Sequence, residues 1–158
     1  MAGQAQLGGK QGRRPFAAPE IEAYVNVLRT ADALAAAAEL LLKPAGLTGA
    51  QYNVLRILRG AGGEGLACRE IGERMIARDP DITRLLDRLE TRKLITRARD
   101  RRDRRVIAVR ITQAALRILK GLDGAVLQLH RRQLRHMGTR KLAALNRLLQ
   151  EARGSAQG

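Results

Sequence analysis

Residues 99–105 read RDRRDRR and stand between two short runs of strand character, LITRAR and VIAVRI, directly after an amphipathic helical stretch, DPDITRLLDRLETRK. Few architectures accommodate that succession. A helical period of 3.6 that hands over to two segments of period 2, joined by a charged turn, predicts a helix running into a two-stranded hairpin whose tip is in solvent. Alternation along the two runs puts Ile95, Ile107, Val109 and Ile111 on the packed face. Five arginines and two aspartates in the turn leave three readings open: a solvated loop, a disordered basic linker, or a device that reaches for something negative.

The rest of the chain frames this unit with helices. Residues 1–15 are rich in Gly and Gln, lack periodicity and read as a disordered tail. From Pro19, apolar residues from Ile21 to Leu42 recur at steps of three and four, which predicts one long helix stopped by KPAG at 43–46. Thr48 and Gln51 have the spacing of a capping box, opening a second helix that the glycines at 60, 62 and 63 close. A short third helix, CREIGERMIA, follows. Asp79 before Pro80 has the signature of an N-cap with proline at the first helical position, so the fourth helix is expected to begin near residue 80. Its stripe of Ile82, Leu85, Leu86 and Leu89 faces inward and leaves Asp81, Thr83, Arg84, Asp87 and Arg88 outside, with Arg78 just before it. After the hairpin, Thr112 starts a long helix with near-heptad apolar steps from Leu116 to Met137. Gly138 and Thr139 break it, a last amphipathic helix follows through Leu149, and residues 154–158 read as a frayed tail.

Three helices ending in a hairpin with a basic tip are the layout of a winged helix-turn-helix, in which the helix at 80–92 can enter the major groove of DNA. The expected fold class is therefore mainly α with a small β-hairpin: a winged helix-turn-helix plus long helices outside it. Composition agrees. Aromatics are only 2% of the chain, so the core is built from Leu, Ile, Val and Ala, which favours helices over a β-sandwich. Thirty Lys plus Arg against fifteen Asp plus Glu give a formal charge of +15, a field that attracts polyanions. Most of the cations are arginine, whose planar fork suits phosphate and the guanine edge.

Other classes find less support. No nucleophile–base pairing or phosphate-cradling glycine motif stands out, so an enzyme is not expected and no cofactor is implied. His130 and His136 have no acidic or cysteine partner at ligand spacing, so no metal site is expected. One cysteine excludes an intrachain disulfide framework, and no apolar run approaches the roughly 18 residues that span a bilayer, so a cytoplasmic protein without membrane contact is expected. A nonspecific architectural nucleic-acid binder remains the alternative that charge alone allows.

The stretches LTGAQYNVLRIL, ITRLLDRLETRKLITR and DRRDRRVIAVRIT together resemble the MarR (multiple-antibiotic-resistance regulator) family of bacterial transcription factors, over about residues 47–112. The family pattern runs roughly L-T-x-x-Q-[FY]-x-V-L, then V-T-R-L-[VL]-D-R-L-E-x-[RK]-G-L-[VI]-x-R, then D-x-R-D-x-R-x-x-x-V-x-L-T. The resemblance implies a homodimer on a pseudo-palindromic operator, with residues 47–111 as the DNA-binding module and residues 16–46 and 112–153 as the dimerisation region. It implies a regulator, commonly a repressor, that a small lipophilic or phenolic effector or cysteine oxidation releases from DNA. Within the wing it implies that Arg102 enters the minor groove, that Asp100 steadies it, and that Arg104 and Arg105 approach phosphates; Arg99 and Arg101 complete the basic wing. Tyr24 and Tyr52 are candidates for an effector pocket, core packing being the ordinary alternative. Cys68, at the start of the third helix beside Arg69, is the one candidate for a thiol switch, although the family's redox cysteines usually lie in the first helix. Two departures stand out: Lys93 replaces the family's glycine at the helix-to-strand turn, and Ala115 replaces another at the start of the next helix.

Overall fold

Local sequence signals place most of the helix ends. In the computed structural model, which describes residues 17–77, 79–99 and 105–155, helix α1 spans Pro19–Leu42. Lys43–Ala45 then tighten into a 3₁₀ turn, and Gly46 adopts φ +67°, a left-handed conformation glycine enters without steric cost. Helix α2 (Gly49–Ala61) opens with the expected capping box: Thr48 Oγ1 accepts from the Gln51 N–H at 3.2 Å, and Gln51 Oε1 accepts from the Thr48 N–H at 3.1 Å. Then come strand β1 (Leu66–Ala67), α3 (Cys68–Arg74), α4 (Ile82–Thr91), β2 (Ile95–Arg99), β3 (Ile107–Ile111), α5 (Gln113–Leu134) and α6 (Gly138–Ser155). No helix among the described residues is long and apolar enough to cross a membrane.

The chain divides into two compact units at Ala33/Leu34. In the first, the described residues are those up to Ala33, and the apolar side chains Ile21, Val27 and Leu28 of α1 stand about half exposed. Tyr24, on the same stretch, is 65% exposed and is not packed into a core of its own unit.

The second unit holds the apolar core. Val54, Leu55 and Leu58 of α2, Ile71 of α3, Leu86 and Leu89 of α4, Ile95 of β2, Val109 of β3 and Leu119 of α5 are all buried in one cluster. Strand β3 is the centre of a three-stranded antiparallel sheet ordered β1-β3-β2, with Leu66 opposite Val109 and Ile95 opposite Ile111. Gly65 makes the approach of β1 possible: its φ is +81°, and a Cβ there would lie 2.6 Å from the Val109 carbonyl oxygen. Thr112 locks the hairpin base to α5, its N–H donating to the Leu94 carbonyl at 3.1 Å while its hydroxyl oxygen accepts from the Ala115 N–H at 3.3 Å.

Several boundaries differ from the sequence expectation. Helix α4 begins at Ile82 rather than near residue 80, because Asp81 and not Asp79 is the cap. Helix α3 stops at Arg74, and β1 was not expected at all. Ile107 is 56% exposed, since it sits where β3 has left the core, opposite Arg99. Leu119, on the near-heptad row of α5, is buried in the core of the second unit. Helix α6 continues through Gly154 and Ser155, two residues into the stretch expected to fray; residues 1–16 and 156–158 lie outside the described residues.

Candidate nucleic-acid interface

Helix α4 is built to show one face. Leu85, Leu86 and Leu89 are buried and Ile82 half-buried, while Thr83, Arg84, Asp87 and Arg88 are exposed, as the apolar stripe requires. Two aspartates prepare its start. Asp79 Oδ1 accepts from the Asp81 N–H at 2.9 Å, a local turn that presents Asp81, and Asp81 Oδ1 accepts from the Arg84 N–H at 3.2 Å. Asp81, expected among the outward polar residues, therefore serves as the N-cap.

The far end answers what replaces the family's glycine. Lys93 takes φ +57°, the positive φ found among the described non-glycine residues. Its N–H donates to the Glu90 carbonyl at 2.8 Å and the Leu94 N–H to the Leu89 carbonyl at 3.0 Å, closing the last turn in the manner of a glycine cap. Buried Leu89 and Leu94 supply the apolar contact that accompanies such a cap. Arg92, just before it, donates to the carbonyls of Gly46 at 2.5 Å and Ala45 at 3.2 Å, tying this corner to the turn after α1.

Arg97 of β2 was not singled out in the sequence. Its Nη1 stands 2.6 Å from Asp87 Oδ1 and 3.3 Å from Glu90 Oε2, and its Nη2 donates to the Thr83 carbonyl at 3.3 Å. The base of the hairpin is thus pinned to α4 by one guanidinium. Asp87, expected on the outward face, spends its carboxylate on this pair, whereas Arg84 and Arg88 make no ion pair among the described residues. Alternation puts Arg99 on the same strand face as Arg97, further out along the hairpin. Arg105 is exposed where the chain turns back toward β3. Arg78, Asp100, Arg101, Arg102 and Arg104 lie outside the described residues.

Cys68 opens α3 and packs half-buried against the core. The group at this helix start is a carboxylate: Glu70 Oε2 accepts from the Ala67 N–H at 2.8 Å. Arg69, the neighbouring cation, is engaged with Glu73 at 2.8 Å. No group of three or more His, Cys, Asp or Glu side chains among the described residues is arranged to hold a metal.

A largely apolar cavity of about 600 Å³ opens within the second unit, between the last turns of α1, helix α2, helix α5 and the segment 75–77 before α4. Tyr52 lines it, beside Asn53, Arg56 and His130. The Tyr52 hydroxyl accepts from Arg56 Nη1 at 3.0 Å, and Asn53 Oδ1 accepts from the Ile76 N–H at 2.9 Å. Arg59 of α2 and Asp123 of α5 form a two-point ion pair between these two helices, both bonds 2.9 Å long. That hydrogen bonding is the main cause holding the Asp123 carboxyl below its usual value and raising Arg59.

With this geometry in place, known proteins give a consistent comparison. The model of the MarR family matches residues 45–106. A MarR transcription factor from Planctomyces limnophilus is 41% identical, with 86% of this chain and 98% of that one covered and a TM-score of 0.65. The HTH-type transcriptional regulator TtmR of Methylorubrum extorquens is 40% identical over 98 residues, which are 62% of this chain; the match spans 47% of that relative's length. A mutant MarR from E. coli complexed with operator DNA superposes with a TM-score of 0.77 at 22% identity, covering 85% of this chain and 95% of that one, a likeness of fold.

Proposed function

The chain belongs to the MarR family of transcription regulators, and from that premise we propose that it is a sequence-specific double-stranded-DNA-binding regulator, acting as a repressor and as a homodimer on a pseudo-palindromic operator. One observation carries the reading: α4 offers Arg84 and Arg88 side by side on an outer face whose neighbouring carboxylates are engaged elsewhere, Asp81 at the cap and Asp87 on Arg97. Residues four apart lie one above the other on a helix, so a pair of forked donors can follow one groove. The operator-bound relative of the same fold supports this assignment. Thr83 stands between the cap and Arg84 and completes the base-facing set, with Arg78 before the helix.

The wing extends the grip. In this proposal Arg102 enters the minor groove, where a narrow groove concentrates negative potential, and Asp100 steadies it. Arg99, Arg101, Arg104 and Arg105 approach phosphates, which makes affinity steeply dependent on salt.

Dimerisation is supported by α6, in which no described residue is buried although Leu142, Leu145 and Leu149 form an apolar row and Leu148 is exposed. The cavity beside Tyr52 is the proposed seat of a small lipophilic or phenolic effector, since it adjoins the segment that leads into α4. Tyr24 keeps a place in this reading only as an exposed residue of α1. A thiol switch at Cys68 finds less support, because the nearby arginine is already paired.

The test is selection of genomic fragments on the purified protein, followed by competition with unrelated DNA at fixed salt. A retained sequence that unrelated DNA cannot displace supports the reading; equal competition by any DNA would make the protein a nonspecific architectural binder. Arg84→Ala is expected to lower discrimination among sites by about 1–3 kcal/mol, whereas a uniform loss on all DNA would make it a phosphate contact. Loss of retention on adding phenolic compounds reports the effector.

A further inference from the structure

Resting on the reading that α4 meets DNA, we propose that Arg97 is a positioning residue that keeps Arg84 available by taking Asp87 away from it. Four charged side chains decorate α4, the cations Arg84 and Arg88 and the carboxylates Asp87 and Glu90, so the helix by itself carries no net side-chain charge. Its own geometry favours self-neutralisation. Arg84 and Asp87 are three residues apart, neighbours on a helical surface, and an acidic and a basic side chain at that spacing attract each other.

Arg97 breaks that internal pairing from outside the helix. Thr83, Asp87 and Glu90 fall at spacings of four and three, one row along α4, and the guanidinium of Arg97 reaches all three: 2.6 Å and 3.3 Å to the carboxylates and 3.3 Å to the carbonyl. Its side chain is only 25% exposed, so this pairing is shielded from water more than a surface ion pair is. Asp87 remains 55% exposed and close to the outer face. Released from Arg97, it would turn to Arg84, three residues away on the same helical surface. The strand arginine therefore decides whether the helix presents two donors or a neutralised pair.

The experiment uses the full chain and a DNA fragment it retains. Arg97→Gln is expected to weaken binding about tenfold or more, the scale of a lost bidentate contact. Asp87→Asn added to Arg97→Gln is expected to restore affinity to within about twofold to threefold of the parent, because the competing carboxylate is gone. If Arg97 merely braced the hairpin, the double variant would stay as weak as Arg97→Gln, and the proposal would be overturned. Should Arg97→Gln fail to fold, Arg97→Lys retains the charge without the fork, and its loss must be rescued by the same Asp87→Asn change. A second readout needs no DNA: modification of Arg84 by phenylglyoxal, mapped by mass spectrometry, should slow in Arg97→Gln and recover in the double variant. An unchanged Arg84 rate would sink the proposal even if DNA binding fell. Conversely, a wild-type chain that selects no sequence while Arg84 reactivity still follows Arg97 would remove the operator reading and leave the partition of charge standing.

Discussion

Lys93 sits where glycine has the conformational advantage. A β-carbon in the left-handed region crowds the following carbonyl, at a cost of roughly 1–2 kcal/mol, yet the two reversed hydrogen bonds and the Leu89–Leu94 contact hold this lysine at φ +57°. Lys93→Gly is therefore expected to raise stability by about 1 kcal/mol, less the extra entropy glycine confers on the unfolded chain. Urea unfolding reads it, and a variant no more stable than the parent would show that the local packing has already relieved the crowding. Single residues also mark what was hidden in the sequence. Arg97 alternates onto the face of buried Ile95, so a charged side chain turned inward was detectable; its partners were not, because they depend on how β2 crosses α4.

At the level of elements, α6 and the last turns before it are the part of the second unit with least cover in their own chain. A helix with an apolar row and no buried residue gains little stability alone. Deleting residues 139–158 is expected to give monomers or aggregates by sedimentation, and a well-behaved dimer would place the subunit contact elsewhere. The succession of elements was legible because each boundary carried local chemistry: the Thr48–Gln51 box, Thr112 ahead of α5, and the switch of period after α4. The start of α4 was misplaced by two residues for an equally local reason. Asp79 and Asp81 flank Pro80, both are good caps, and only the downstream carboxylate reaches the Arg84 N–H. Alternation put Ile107 on the correct strand face, but it says nothing about how far a hairpin projects beyond the core. A two-residue strand such as β1 has no pattern to read.

Across the molecule, the Arg59–Asp123 pair links α2 to α5 and so ties the layer under α4 to the long helix. Because the folded carboxyl titrates below its usual value of about 3.9, the contribution of the pair is present above that value and is lost as pH falls through the lowered one. Both side chains are substantially exposed, 30% and 44%, so Asp123→Asn is expected to cost less than about 1 kcal/mol at neutral pH. Melting curves of the two proteins should converge as pH drops below about 3.9; a gap that persists in acid would point to packing instead of charge. The order of the sheet has a consequence of its own. With β3 in the centre, the borders are a two-residue strand and a strand whose outer end bears Arg99. Strand borders invite a second chain to add on, and shortness and positive charge are what discourage it. Copies of so basic a chain repel one another along that border, so resistance to fibril growth should weaken as added salt shortens the reach of the repulsion.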